Sequence, residues 1–154
     1  MSNTPNVFQI TTLAILLVLG GGCGSGDSPT PTPTIDLTPR PNLAISVLET
    51  NPVSPTTAGF DIIVKFSNIG SILSPASTLL LEQQTVGGWS VLGSQATPTL
   101  GPSAGSIITF TTVSGGVTAG SLTIRATIMP VTDETALTNN EATLTVLVAP
   151  AGGG

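Results

Sequence analysis

Histidine and tyrosine are absent from this 154-residue sequence, and only 7% of its residues are charged. Without histidine, the chain lacks the commonest general acid–base residue and the commonest metal ligand. Its three cationic side chains, Arg40, Lys65 and Arg125, lie far apart in a chain of net charge -5. This composition argues against nucleic acid and anionic lipid surfaces as partners, because both are bound by clustered basic residues.

Catalytic groups are equally scarce. A Ser/His or Cys/His pair requires histidine, and the single cysteine, Cys23, precedes the predicted folded part. Glu49, Asp61 and Glu82 fall on different predicted strands, so two of them would form a glycosidase-like carboxylate pair only if folding brought them together. Aromatic residues, on which a sugar ring could stack, make up 3% of the chain. We therefore expect no enzyme, with a two-carboxylate hydrolase as a distant alternative.

The sequence has one long apolar run, at residues 7–19. Its core, from Ile10 to Leu19, is shorter than the roughly 20 residues of a transmembrane helix and has the length of a signal-peptide core. Three glycines and Cys23 follow, which resembles the lipobox of bacterial lipoproteins. The resemblance implies cleavage before Cys23 and acylation of its thiol, and Gly24 would favour the outer membrane of a Gram-negative cell. The alternative is an ordinary or uncleaved signal peptide with an incidental cysteine.

Composition divides the chain into four parts. Residues 1–22 are predicted to be a lipoprotein signal peptide, and residues 23–40 a tether rich in Gly, Ser, Pro and Thr. Such a tether has little to bury, and its Pro/Thr part should be stiff and extended. Residues 41–149 form the predicted folded domain, and residues 150–154 a flexible Gly-rich tail. With a single cysteine, the chain can form no internal disulfide.

The folded part is predicted to be all-β. Apolar and polar residues alternate with period two in seven segments bounded by turn residues, without a helical period between them. The first segment is expected to end at Asn51-Pro52, and Leu79 and Leu81 are expected to point inward from the third. Because each strand has one apolar face, two sheets must pack those faces together. The expected fold is an immunoglobulin-like β-sandwich of about seven antiparallel strands.

Four segments within residues 41–148 carry a resemblance to the CARDB family, the cell-adhesion-related domains found in bacteria. They are residues 41–45 (PNLAI), 61–70 (DIIVKFSNIG), 100–105 (LGPSAG) and 138–142 (TNNEA). They are similar, in order, to the family's opening strand, its Asn-x-Gly turn, the Pro/Gly turn before its fifth strand and the Asn-Asn turn before its last strand. The resemblance implies an immunoglobulin-like domain with a role in adhesion or surface interaction.

Two groups of residues are candidate contact sites. Trp89, beside the Gly87-Gly88 turn, could be an exposed contact, although we expect its large ring to cover the edge of the core. The densest group of oxygen donors comprises Asp133, Glu134, Asn139, Asn140 and Glu141. Carboxylate and amide oxygens are ligands for calcium, whereas the alternative is an ordinary turn stabilised by asparagine side chains.

Together these features predict a non-catalytic, surface-exposed lipoprotein with one CARDB-like domain, anchored in the cell envelope by lipid. Its expected partner is a protein or an envelope polymer, bound through an edge strand or through loops at one end of the sandwich. Apart from the calcium hypothesis, no cofactor is expected. The alternative is a structural spacer or assembly subunit of an envelope complex without a ligand of its own.

Overall fold

The computed structural model describes residues 38–111 and 117–152. The predicted signal peptide, Cys23 and the tether up to residue 37 lie outside this part, as do the last two glycines. Among the described residues, no helix is long and apolar enough to span a membrane. The described chain forms seven strands: β1 (Leu43–Thr56), β2 (Gly59–Asn68), β3 (Thr78–Thr85), β4 (Gly88–Ala96), β5 (Gly105–Thr111), β6 (Gly120–Ile128) and β7 (Glu141–Val148).

The strands form two antiparallel sheets. The three-stranded sheet has the order β1-β2-β5, and the four-stranded sheet has the order β4-β3-β6-β7. Period-two alternation is clearest in β2 and β6, where every second residue is buried. The buried faces meet in a single core to which Phe66, Leu79, Leu81 and Ile124 contribute fully buried side chains. The predicted all-β sandwich of seven antiparallel strands is confirmed.

Strand β1 differs from the prediction in its length and in which of its side chains face the core. It continues past Asn51-Pro52, a cis peptide, to Thr56. Proline is tolerated because residues 52–55 pair with no residue of β2, so its missing N–H costs no ladder hydrogen bond. A register shift between Ile45 and Val47 also changes the alternation, so that Leu48 packs against the core.

One side of the sandwich is closed by backbone hydrogen bonds between its two edge strands. The amide of Ile45 donates to the carbonyl of Asn139 at 2.9 Å, just before β7 begins. At the other end, the amide of Ala149 donates to the carbonyl of Pro55 at 3.0 Å, and a parallel bridge joins Thr56 to Ala149. The outer edges of β1 and β7 are thereby joined to each other.

The opposite side, between β4 and β5, is held by side chains. The Gln95 Nε2 atom on β4 donates to the Thr109 carbonyl on β5 at 3.1 Å. The two strands approach closely at Gly93, where an added Cβ would lie 3.2 Å from Cδ1 of Phe110. Within residues 38–111 and 117–152, β4 pairs only with β3, and β5 pairs only with β2. Both strands therefore have an open outer edge on this side.

Candidate interaction surface

Asn68, at the end of β2, connects three of the segments that carry the family resemblance. It is fully buried, and its Oδ1 atom accepts hydrogen bonds from the amides of Asn42 at 3.1 Å and Gly70 at 3.0 Å. Its Nδ2 atom donates to the carbonyls of Ile72 at 2.7 Å and Leu100 at 3.0 Å. These side-chain bonds pair with backbone groups of the segments next to the end of β2. These three segments therefore have a structural role, because the Asn68 side chain holds them together.

The fourth segment joins the same end of the sandwich. Asn139 Nδ2 donates to Asn42 Oδ1 at 2.8 Å, and the Asn140 carbonyl accepts from the amide of Ile128 at 2.8 Å. The side chain of Asn140 is buried, and neither its oxygen nor its nitrogen has a protein partner; the same holds for Oδ1 of Asn139. Of this pair, the Asn139 side chain thus connects the turn to Asn42.

The carboxylates predicted as calcium ligands point in different directions. Glu134 is buried, and its two oxygens accept from the amides of Leu43 at 2.6 Å and Val131 at 3.1 Å. Asp133 has a positive φ of 67° and is exposed, whereas Glu141 lies 3.8 Å from Arg125 Nη1. In the part of the chain that the structure describes, no group of three or more acidic, His or Cys side chains could hold a metal ion. The calcium site stays a prediction, although both oxygens of Glu134 already accept backbone hydrogen bonds.

Trp89 lies outside the core, contrary to expectation. It is 38% exposed, and the guanidinium carbon of Arg125 lies 4.3 Å from the centre of its ring. Arg125 in turn donates to Glu82 Oε2 from Nε at 2.9 Å and from Nη2 at 2.6 Å. Arg125 alternates along β6 with the buried Ile124 and so belongs to the outer face of the four-stranded sheet. The ring covers an ion pair on that outer face, where it makes a cation–π contact.

The acidic side chains considered for hydrolysis are divided between the two sheets. Glu49 and Asp61 lie on β1 and β2 of one sheet, and Glu82 lies on β3 of the other. Glu49 forms an exposed ion pair with Lys65 at 2.9 Å, and Glu82 is held by Arg125. Both glutamates thus have ion-pair partners on the faces of the sheets.

The open edge of β5 is the feature that sequence analysis missed. Ala104 directs its carbonyl to β2, where it accepts from the amide of Asn68 at 2.9 Å, whereas Thr109 directs its carbonyl to Gln95. Because successive residues of a strand point their N–H and C=O groups to opposite sides, odd-numbered residues from Gly105 to Thr111 point theirs away from β2. We call these outward backbone groups, from Gly105, Ile107, Thr109 and Thr111, the β5 edge.

The β5 edge lacks the usual protection of an edge strand. Natural edges carry charged side chains, proline or bulges that discourage pairing with another chain. Residues 105–111 contain neither charge nor proline, and their register with β2 is continuous. Ile107 is 61% exposed on this strand. By contrast, the pairing of β4 with β3 contains a register shift between Leu81 and Glu82. The absence of charge in residues 105–111 is visible in the sequence. Only the strand order shows that this segment is an edge strand.

Comparisons with known proteins bear on this architecture. No family model matches the chain, and no curated protein matches it either. Among solved structures, the CARDB domain of a Pyrococcus furiosus protein, solved in complex with di-metal ions, has a TM-score of 0.58 at 21% identity. The match covers 73% of this chain and 96% of that chain. The fold is that of a CARDB domain.

Two further solved structures are similar to this domain. Residues 272–376 of a candidate cell surface protein from Methanosarcina acetivorans match this CARDB-like domain with a TM-score of 0.58 and 21% identity, over 71% of this chain and 92% of that one. A β-glucosidase from Erythrobacter marinus matches with a TM-score of 0.52 and 12% identity, over 71% of this chain but only 16% of the enzyme. At these identities the comparisons show the fold alone.

Proposed function

We propose that this chain is a non-catalytic interaction module displayed on the cell envelope and anchored there through Cys23. The observation that carries the proposal is the β5 edge, an uncharged and regular strand edge with the exposed side chain of Ile107 beside it. The CARDB-like fold supports it, since one solved structure of this fold comes from a candidate cell surface protein. The lipobox-like segment before Cys23 supports an envelope location.

The mode of binding proposed is strand addition. An extended segment of a partner protein pairs with the β5 edge, and its backbone hydrogen bonds give affinity while side chains beside the edge give selectivity. The outward backbone groups of the edge define the partner, because only an extended chain offers donors and acceptors at the same spacing. A folded surface of another kind would leave them unpaired.

Photocrosslinking in living cells tests this proposal. A photoreactive amino acid at Ile107 should give one saturable protein adduct, because this side chain lies beside the open edge. The matched control is Val86, an equally apolar and fully exposed residue in the β3–β4 hairpin. We expect no adduct from position 86. Absence of an adduct at position 107, or the same adducts at both positions, would contradict the proposal.

A further inference from the structure

We infer that the partner of the β5 edge is a second copy of this chain, paired antiparallel about a two-fold axis at Thr109. The inference rests on the proposed function and specifies its partner. In such a pair, Thr109 lies opposite Thr109 of the second copy, and Ile107 lies opposite Thr111. The two three-stranded sheets then become one continuous sheet across the interface.

The backbone geometry of β5 permits this pairing without disturbing the fold. The outward groups of Ile107, Thr109 and Thr111 take no part in the ladder with β2, whereas Ile108 and Phe110 remain buried on the core face. The outward residues of both copies would form hydrogen-bonded pairs, in which opposite residues exchange both bonds. Pairing at this edge therefore adds backbone hydrogen bonds and removes none from the ladder between β5 and β2.

Gln95 already makes a hydrogen bond to one carbonyl of the β5 edge that the second copy would use. Its Nε2 atom donates to the Thr109 carbonyl, which is the bond that a backbone amide of a partner strand would make. Gln95 is exposed on β4, so its side chain can turn away into solvent when a strand arrives. In the single copy, the Gln95 side chain supplies a donor for the Thr109 carbonyl and so competes with a partner strand for that carbonyl.

The side chains of β5 favour a copy of the same strand. Residues 105–111 carry no charge, so an antiparallel alignment with the same sequence opposes no like charges. On the outer face, the β-branched side chains of Ile107 and Thr111 meet across the axis, an arrangement that suits a sheet. Such a contact is isologous and closes as a dimer.

The proposed anchor strengthens this choice. Copies held on one membrane surface share a raised effective concentration, which favours a contact between identical chains. The alternative edges are less suitable, because β1 and β7 are joined to each other and the β4 ladder is irregular. The β5 edge is the regular open edge within the described residues.

Cysteine pairing tests both the partner and the register. In the full chain carrying Cys23→Ser, an introduced cysteine is the only one. Residues in a hydrogen-bonded pair have Cα atoms about 5.5 Å apart, within the roughly 4.4–6.8 Å that a disulfide spans. Thr109→Cys should therefore give a disulfide-linked dimer under mild oxidation. Thr111→Cys, on the same strand and equally exposed, should stay monomeric, because the two copies of residue 111 lie ~14 Å apart along the strand.

A second pair of variants tests the backbone bonds themselves. Ile107→Pro removes one outward N–H and no bond to β2, whereas Ile107→Thr keeps that N–H. We expect light scattering of the Cys23→Ser chain to show a dimer that Ile107→Thr retains and Ile107→Pro loses, with circular dichroism confirming that both variants fold. A monomer in the parent chain, or equal crosslinking of Thr109→Cys and Thr111→Cys, would overturn the inference. Photocrosslinking of position 107 to a different protein would also overturn it, while leaving the proposed function standing.

Discussion

Asn68 joins several segments of the chain at the end of β2. Its amide makes four hydrogen bonds to backbone groups in three segments of the chain, inside a fully buried position. The pattern of residues 61–70 predicted a turn at this point, and the structure shows why asparagine is required there. A short side chain with both a donor and an acceptor can bond to carbonyls and amides at once.

We predict that Asn68→Ala lowers the free energy of unfolding by about 2–4 kcal/mol, because buried backbone donors and acceptors lose their partners. Urea denaturation of the purified domain-bearing chain measures the change. Gln84→Ala, at an exposed amide on β3, is the matched control and should change stability by less than about 0.5 kcal/mol. A loss at Asn68 no larger than that at Gln84 would show that the turns hold without it.

Glu134, one of the predicted calcium ligands, makes structural hydrogen bonds in the described domain. Its position near Asp133 and the Asn139-Asn140 pair suggested a cation site, because carboxylates and amides cluster in the sequence there. The structure turns its carboxylate inward, where the amides of Leu43 and Val131 use both oxygens. The sequence spacing gave the correct neighbourhood, but the direction of a side chain depends on which distant strand packs beside it.

At the scale of elements, the outer face of the four-stranded sheet is stabilised by a contact across three strands. Trp89 on β4 covers Arg125 on β6, and Arg125 binds Glu82 on the intervening β3. Sequence alternation placed Arg125 correctly on the polar face of its strand. It could not place Trp89, because a large ring beside a Gly-Gly turn suits the core edge and the outer face equally well.

A double-mutant cycle of Trp89→Ala and Arg125→Ala should yield a coupling of about 0.5–2 kcal/mol, as expected for a cation–π contact that is partly desolvated. Chemical denaturation of the four chains gives this value. The matched cycle pairs Trp89→Ala with Lys65→Ala on the other sheet, where the effects should add within about 0.5 kcal/mol. Additive effects in both cycles would contradict the prediction, because the ring and the guanidinium would then lie close together without stabilising each other.

At the scale of the whole molecule, the proposed function depends on location as well as on the fold. A lipid anchor at Cys23 would hold the CARDB-like domain beside the membrane, and copies of the domain beside one another. Residues 23–37 lie outside the described part of the chain, so the anchor remains a prediction from sequence. An anchor at Cys23 would favour the proposed strand pairing, because identical chains on one membrane surface share a raised effective concentration.

Expression in a bacterium, with Cys23→Ser as the matched variant, tests the anchor. We expect the parent protein in the membrane fraction, with an intact mass that corresponds to a chain beginning at Cys23 and carrying acyl groups. The variant should lose both the acyl mass and the membrane association, because serine offers no thiol for thioether formation. A soluble, unmodified product from both genes would contradict the anchor and leave a secreted domain.

The sequence by itself determined the fold class and the inward faces of most strands, because period-two alternation is a local property that burial selects directly. It also indicated the CARDB-like turns at Asn68 and at the Asn139-Asn140 pair, because asparagine favours turns. Only the tertiary structure decided the strand order, in which β5 joins β2 and β3 joins β6. That order depends on pairing between distant segments, and it alone determines that β5 keeps an open edge and that Trp89 lies over Arg125.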